Sequence, residues 1–215
     1  MLATPDQTTE FLSAFRHGIE YTYKKGEFII RPGQPPSGVF YIKSGLVKAY
    51  DISKYGEENL LIIKKQREVF PLIWALTGQE RHIIYEALAP STLIQISRQH
   101  LVKAIHENPD NLVPLTDMLL EMYKIHSERI LNLEYRTVRE RLISFLIMMG
   151  DRFGRQLGDS IVIEAPLRQQ DVASSINATR ETTSREMAVL ERQGLIINKS
   201  SIITLLEVKK LNTFI

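Results

Sequence analysis

Between Thr179 and Gly194 the chain reads TRETTSREMAVLERQG, a stretch in which Arg180, Glu181, Ser184 and Arg185 crowd into six positions. On a helix of about 3.6 residues per turn these four share one face with Ala188, about two turns long, while Thr183, Met187 and Leu190 share the face that must point inward. Arginine can donate two parallel hydrogen bonds to guanine O6 and N7, and glutamate can accept one from cytosine N4, so Arg180, Glu181 and Arg185 have the chemistry for reading bases. A major groove admits one such helix, whose first turns reach the base edges. Thr179 is placed to cap the helix. Gln169, Gln170, Thr179, Thr182, Ser184 and Lys199 supply polar groups for the DNA backbone, where contacts fix orientation without reading sequence. The same three charged residues also fit a solvated surface network of ion pairs, and the segment by itself leaves both readings open.

The elements around the segment favour the first reading. A short helix spans about Gln169 to Ile176, a turn follows at Asn177 to Thr179, and a second helix runs from Arg180 to about Gln193 before Gly194. LIINKSSIITLLE then gives two apolar runs around a polar turn, the pattern of a hairpin. Upstream, a turn at Leu157-Gly-Asp precedes the strand SIVIEA. TVRE at Thr137 to Glu140 has the form of a capping box, opening a helix with Val138, Leu142, Phe145 and Met149 on one face. Residues 137–215 therefore read as a winged helix-turn-helix. Their charge agrees: residues 136–215 carry 12 Lys and Arg against 9 Asp and Glu, whereas residues 1–135 carry 15 against 16. An imbalance of three supports a polyanionic partner only weakly.

Ahead of this domain, residues 110–136 change to a helical period, with Leu112, Leu115, Leu119, Met122, Ile125, Ile130 and Leu133 in one stripe. The heptad positions 112, 119, 126, 133 and 115, 122, 129, 136 mix Leu and Met with His126, Arg129 and Arg136, the pattern of a seam whose polar residues select register and partner. This predicts a dimerisation helix and a homodimer. Residues 20–98 read as short alternating strands divided by Gly26, Gly33, Gly38, Gly45 and Gly56, an all-β roll or barrel, and residues 1–109 form this effector-type domain. The fold class is α+β: an N-terminal β-roll, a long dimerisation helix and a C-terminal winged helix-turn-helix.

Composition removes several chemistries. The 215 residues include no cysteine, which excludes disulfides, thiolate nucleophiles and cysteine-held clusters. No run approaches the roughly 20 apolar residues that cross a bilayer, and no secretory leader is visible, so the expected location is cytoplasmic, with no membrane partner. His100 and His106 lie six apart, unlike the i, i+4 pair of a zinc helix, and no metal is expected. No nucleophile constellation such as Gly-x-Ser-x-Gly occurs, and the chain is not expected to be an enzyme.

RQQDVASSINATRETTSREMAVLERQGLI resembles the signature of the cyclic-AMP receptor protein/FNR superfamily of bacterial transcription regulators, above all in its Arg-Glu-Thr-x-x-Arg helix. The glycine-punctuated roll and the segment HSERILNLEYRTVRERLISFLIMMGDRFG follow the family order over nearly the whole chain. The resemblance implies a cyclic-nucleotide-binding-like jelly roll, RNA polymerase as a further partner, and a TGTGA-like half-site read by Arg180, Glu181 and Arg185, completed as a palindrome by a second subunit. It also implies an effector pocket, for which Arg81, His82, His126, Ser127 and Arg129 are the candidates. Cyclic AMP fits poorly, because Pro71 and Leu72 stand where the family's Gly-Glu pair binds the nucleotide; proline has no amide hydrogen to give and no carboxylate is left for the ribose. No cofactor is expected. A haem held by histidine, a 2-oxo acid held by Arg81 or Arg129 (as RLISFLIMMGDRFG is similar to nitrogen-control members), and a cavity filled by Leu72, Ile73 and Trp74 all remain open. So does the alternative that the roll is a ligand-binding module whose winged helix contacts protein rather than DNA.

Overall fold

The computed structural model describes residues 2–215, which form two compact units: residues 2–51 with 61–125, and residues 52–60 with 126–215. The architecture is the expected α+β one.

The first unit opens with a helix that the sequence reading missed, α1 (Pro5–Ser13). Thr4 caps it, accepting from Gln7 N while the Gln7 side chain accepts from Thr4 N, and Pro5 occupies the first turn, where a missing amide costs nothing. Eight strands follow: β1 (Ile19–Tyr23), β2 (Phe28–Ile30), β3 (Val39–Ser44), β4 (Val47–Ile52), β5 (Glu58–Lys64), β6 (Val69–Phe70), β7 (Ile84–Ala87) and β8 (Ser91–Ile96). Two short helices, α2 (Leu72–Thr77) and α3 (Arg98–Glu107), belong to the same stretch. The strands build two sheets, ordered β1-β8-β3-β6 and β2-β7-β4-β5. At the tight β3–β4 turn Gly45 has φ +92°, and a Cβ there would strike Ser91 and the Pro90 carbonyl.

Alternation along β3 divides two cores. Phe40 and Ile42 pack with Ile30, Val47, Phe70 and Leu93, whereas Val39 packs with Phe11, Phe15, Leu101 and Leu115 from the helices. Phe70 stacks on Phe40 at 5.4 Å and on Tyr85 at 4.7 Å. Leu72 and Trp74 lie outside that aromatic core. As part of α2 they join the helical cluster, because Leu72 and Ala75 on one face of the helix are buried against it.

Helix α4 (Leu112–Tyr135) has 24 residues, about 36 Å at 1.5 Å per residue. Its single predicted stripe is in fact two. Leu115 and Ile125 are buried in their own unit and Leu119 and Met122 pack beside them, while Leu120, Tyr123, Ile130 and Leu131 point outward. Of the expected seam positions, Leu115 and Met122 are turned into the protomer, whereas Leu112 and Leu133 are exposed, as are Leu120, Tyr123, Ile130 and Leu131. Tyr123 is 72% exposed and Ile130 62%.

In the second unit Thr137 caps α5 (Val138–Phe153) by the predicted box: Glu140 N donates to Thr137 Oγ1, and Thr137 N donates to the Glu140 carboxylate at 2.7 Å. Leu142, Phe145 and Met149 are buried as their spacing requires. Strands β9 (Gly154–Leu157), β10 (Ser160–Ile163), β11 (Ile196–Lys199) and β12 (Ile202–Leu205) form one antiparallel sheet, ordered β11-β12-β10-β9. Between its halves run α6 (Gln169–Ser175) and α7 (Arg180–Arg192), and a short α8 (Val208–Leu211), not foreseen, follows β12.

Candidate nucleic-acid interface

Helix α7 is held by what it buries. Thr183, Met187 and Leu190 are at most 3% exposed. Thr179 Oγ1 accepts from Thr182 N at 3.1 Å and so caps the helix as expected. Arg139 of α5 donates from Nε to Glu186 at 2.7 Å, fixing the middle of α7 from behind. The turn into α7 carries Asn177 at φ 51°, and its carbonyl accepts from Arg141 of α5 at 3.4 Å, while the same guanidinium reaches Arg136 O at 3.2 Å. Neither arginine was singled out from sequence, where a basic residue on a half-polar helix carries no sign of its target.

With its inner face fixed, α7 turns Arg180, Glu181, Ser184, Arg185 and Ala188 outward, where together with Gln169 of α6 they line an open concavity of about 660 Å³. Arg180, Glu181 and Arg185 are exposed. Among the described residues these three form no ion pair with one another or with any other side chain; the single polar contact of the group is a 3.5 Å hydrogen bond from Arg185 to Thr182 Oγ1. Among the described residues the solvated ion-pair network is thus absent, and their donors and acceptors face outward.

Of the backbone candidates, Gln170 and Thr179 are exposed, and Thr182 and Ser184 are half-buried on the same helix pair. Lys199 ends β11 at the wing tip, where Ser200 and Ser201 both take positive φ, 51° and 67°, in the two-residue loop that joins Lys199 to its partner Ile202.

The five effector candidates divide between the units. Arg81 and His82 lie exposed in the first, just before β7. Burial pushes the Tyr85 hydroxyl well above its ordinary pKa, and the charge of Arg81 opposes that in part. His126 and Ser127 are half-buried on α4 in the second unit. Arg129 is occupied by the protein itself, donating to Leu60 O at 2.7 Å, Asn59 Oδ1 at 2.5 Å and Ser174 O at 3.1 Å. No group of three or more His, Asp or Glu that could hold a metal occurs among the described residues, and no helix there is long and apolar enough to cross a membrane.

A helix-turn-helix with a wing and an outward face of base-competent side chains, preceded by a two-sheet roll and a long helix, defines a DNA-binding regulator. Comparison with known proteins agrees. Residues 140–214 match the model of the Crp-like helix-turn-helix domain, and residues 20–108 that of the cyclic nucleotide-binding domain. A global nitrogen regulator from Synechococcus elongatus is 31% identical over 183 residues, 81% of this chain and 79% of its own. Among solved structures, a CooA mutant from Carboxydothermus hydrogenoformans covers 94% of this chain and 89% of its own with a TM-score of 0.78 at 21% identity. A transcriptional regulator of the CRP/FNR family from Thermus thermophilus gives 0.70 at 23%, covering 91% and 97%. The chain belongs to the CRP/FNR family of DNA-binding transcription regulators, and this is a family of regulators, not of enzymes.

Proposed function

We propose that two copies of the chain join along the exposed face of α4 and present their α7 helices to successive major grooves of one duplex. Arg180, Glu181 and Arg185 then read a TGTGA-like half-site in each groove. Gln169, Gln170, Thr179, Thr182, Ser184 and Lys199 hold the backbone and set the angle of entry. One observation carries this reading: three charged side chains on two turns of helix face outward around one concavity without neutralising each other. Ionised groups arranged in this way without internal partners suit an interface that supplies its own acceptors and donors. The bound dimer would act by recruiting or blocking RNA polymerase. Cyclic AMP has no part in this reading, since Pro71 offers no amide and Leu72 no carboxylate for the ribose.

Selection of bound fragments from a pool of random duplexes tests it. The expected result is a two-fold symmetric sequence whose half-sites lie about 10 base pairs, or a multiple, apart. Recovery of no preferred sequence rejects base reading and favours a winged helix that contacts protein.

A further inference from the structure

Residues 52–60, the hairpin tip and the start of β5, group with the DNA-binding unit, and Glu58, Asn59 and Leu60 at the start of β5 link to both ends of α6 through two arginines. At the C-terminal end, Arg129 donates to Ser174 O from the nitrogen that also reaches Asn59 Oδ1, and to Leu60 O from the other. At the N-terminal end, Arg168 lies 3.9 Å from the Glu58 carboxylate while its fork grips Asp171 at 2.9 and 3.0 Å. Residues 58, 59 and 60 thus span a seven-residue helix about 10 Å long.

Two features single out the Arg129 junction. Its Nε is buried with no hydrogen-bond partner, so the guanidinium leaves one donor dehydrated in order to aim the other two nitrogens at three acceptors. That arrangement persists only where the surroundings dictate the geometry. Ser174 O belongs to the last turn of α6, where carbonyls have no partner within the helix and the helix dipole favours a cation.

We infer that Arg129 is a positioning residue for DNA recognition: together with the hairpin residues Glu58, Asn59 and Leu60 it splints α6 against α4, and so fixes the direction in which α7 leaves the dimer. The inference rests on the proposed symmetric DNA reading, because a fixed direction matters only when two α7 helices must meet two half-sites at once. Within one helix-turn-helix the splint touches no base-reading side chain. Its loss therefore leaves the preferred half-site intact and relaxes the distance required between half-sites.

The test is a set of duplexes carrying the selected palindrome with spacers lengthened or shortened by one and two base pairs, titrated against the full-length protein and the variants Arg129→Ala, Asn59→Ala and the double variant. The wild type binds one spacing best. Arg129→Ala is expected to lose about tenfold at that spacing, within the range of couplings in one hydrogen-bond network, and to bind the flanking spacings nearly as well. Asn59→Ala shifts the same way by less, and the double variant matches Arg129→Ala because both remove one network. Arg129→Lys restores charge but not the fork, and keeps the relaxed spacing. An unchanged spacing profile in Arg129→Ala overturns the inference, as does a double variant whose losses simply add. If Arg129→Ala does not fold, Asn59→Ala and Glu58→Gln decide it, and wild-type spacing in both overturns it. Failure of the wild type to select any palindrome would instead refute the proposed function.

Discussion

Glu191, in the last turns of α7, accepts a hydrogen bond from the backbone N–H of Asn198 at 2.9 Å, so α7 and the wing strand β11 are joined by one carboxylate. That bond lies one residue before Lys199, the basic side chain at the wing tip. Replacing Glu191 with Ala is expected to free the wing while leaving the base-reading face unaltered. DNA affinity falls for all sequences alike, and the slope of log K against log salt shrinks by about one, the share of a single lost phosphate contact. A salt titration of the variant against the wild type on one duplex checks this; an unchanged slope removes Lys199 from the interface.

Arg185 differs from Glu191 in kind, because it stands in the concavity and has only Thr182 Oγ1 as a neighbouring acceptor, at 3.5 Å. Truncation to Ala leaves the fold undisturbed, since the side chain is exposed. The expected loss is about 1 to 3 kcal/mol of binding, concentrated at one base pair per half-site, where discrimination relaxes. Binding measured across duplexes varied one base pair at a time separates this from a backbone contact, which would lower every duplex equally.

Much of this was legible because the inner face of a helix repeats on itself. Thr183, Met187 and Leu190 named the buried side of α7, and with it the outward side. Leu142, Phe145 and Met149 did the same for α5. The α4 stripe divided in two for a related reason. Leucines at spacings of three and four lie on two overlapping stripes, and sequence periodicity does not say which stripe its own unit will cover. Leu115, Leu119 and Met122 went inward, Leu120 and Tyr123 outward. In β4 the charged Lys48 stands between Val47 and Ala49 and is only 1% exposed. Its ammonium lies over the ring of Tyr50, two residues on, and 3.4 Å from Glu86, a partner from the β4–β7 pairing that no local pattern announces. The grip of Arg129 on residues nearly 70 positions earlier, and of Asp117 on the amides of Leu2 and Ala3, are long-range pairings of the same kind.

The division of α4 makes a prediction that distinguishes the two stripes. Ile130→Arg places a charge on the exposed face and is expected to give a monomer in sedimentation velocity, with little change in melting temperature. Affinity for the palindrome then falls about a hundredfold or more, as two linked sites become one. Leu115→Ala behaves in the opposite way: fully buried in its own unit, it is expected to cost about 2 to 5 kcal/mol of stability while the folded protein remains dimeric. A monomer from Leu115→Ala and a dimer from Ile130→Arg would place the seam on the stripe of Leu115 instead.

The start of α5 gives a prediction in pH. Glu140 accepts from both the hydroxyl and the amide of Thr137 at 2.7 Å, and these hydrogen bonds, the hydroxyl's first, hold its carboxyl below the ordinary glutamate pKa. A carboxylate with a depressed folded pKa contributes stability that is fully present above its unfolded value, about 4.3, and is lost as pH falls through the folded value. Thermal melting of the wild type and Glu140→Gln should therefore differ at neutral pH and converge toward pH 3, since protonation removes from the wild type what the substitution removes from the variant. Thr137→Ala, which deletes the cap from the other side, is expected to cost about 1 kcal/mol at pH 7. Because Arg141 of the same helix holds both Arg136 O and the Asn177 turn, fraying there would loosen the mount of α7. DNA binding should then weaken in the Thr137 variant before global unfolding sets in, and binding that stays at wild-type strength up to the melting transition would show that the cap serves α5 alone.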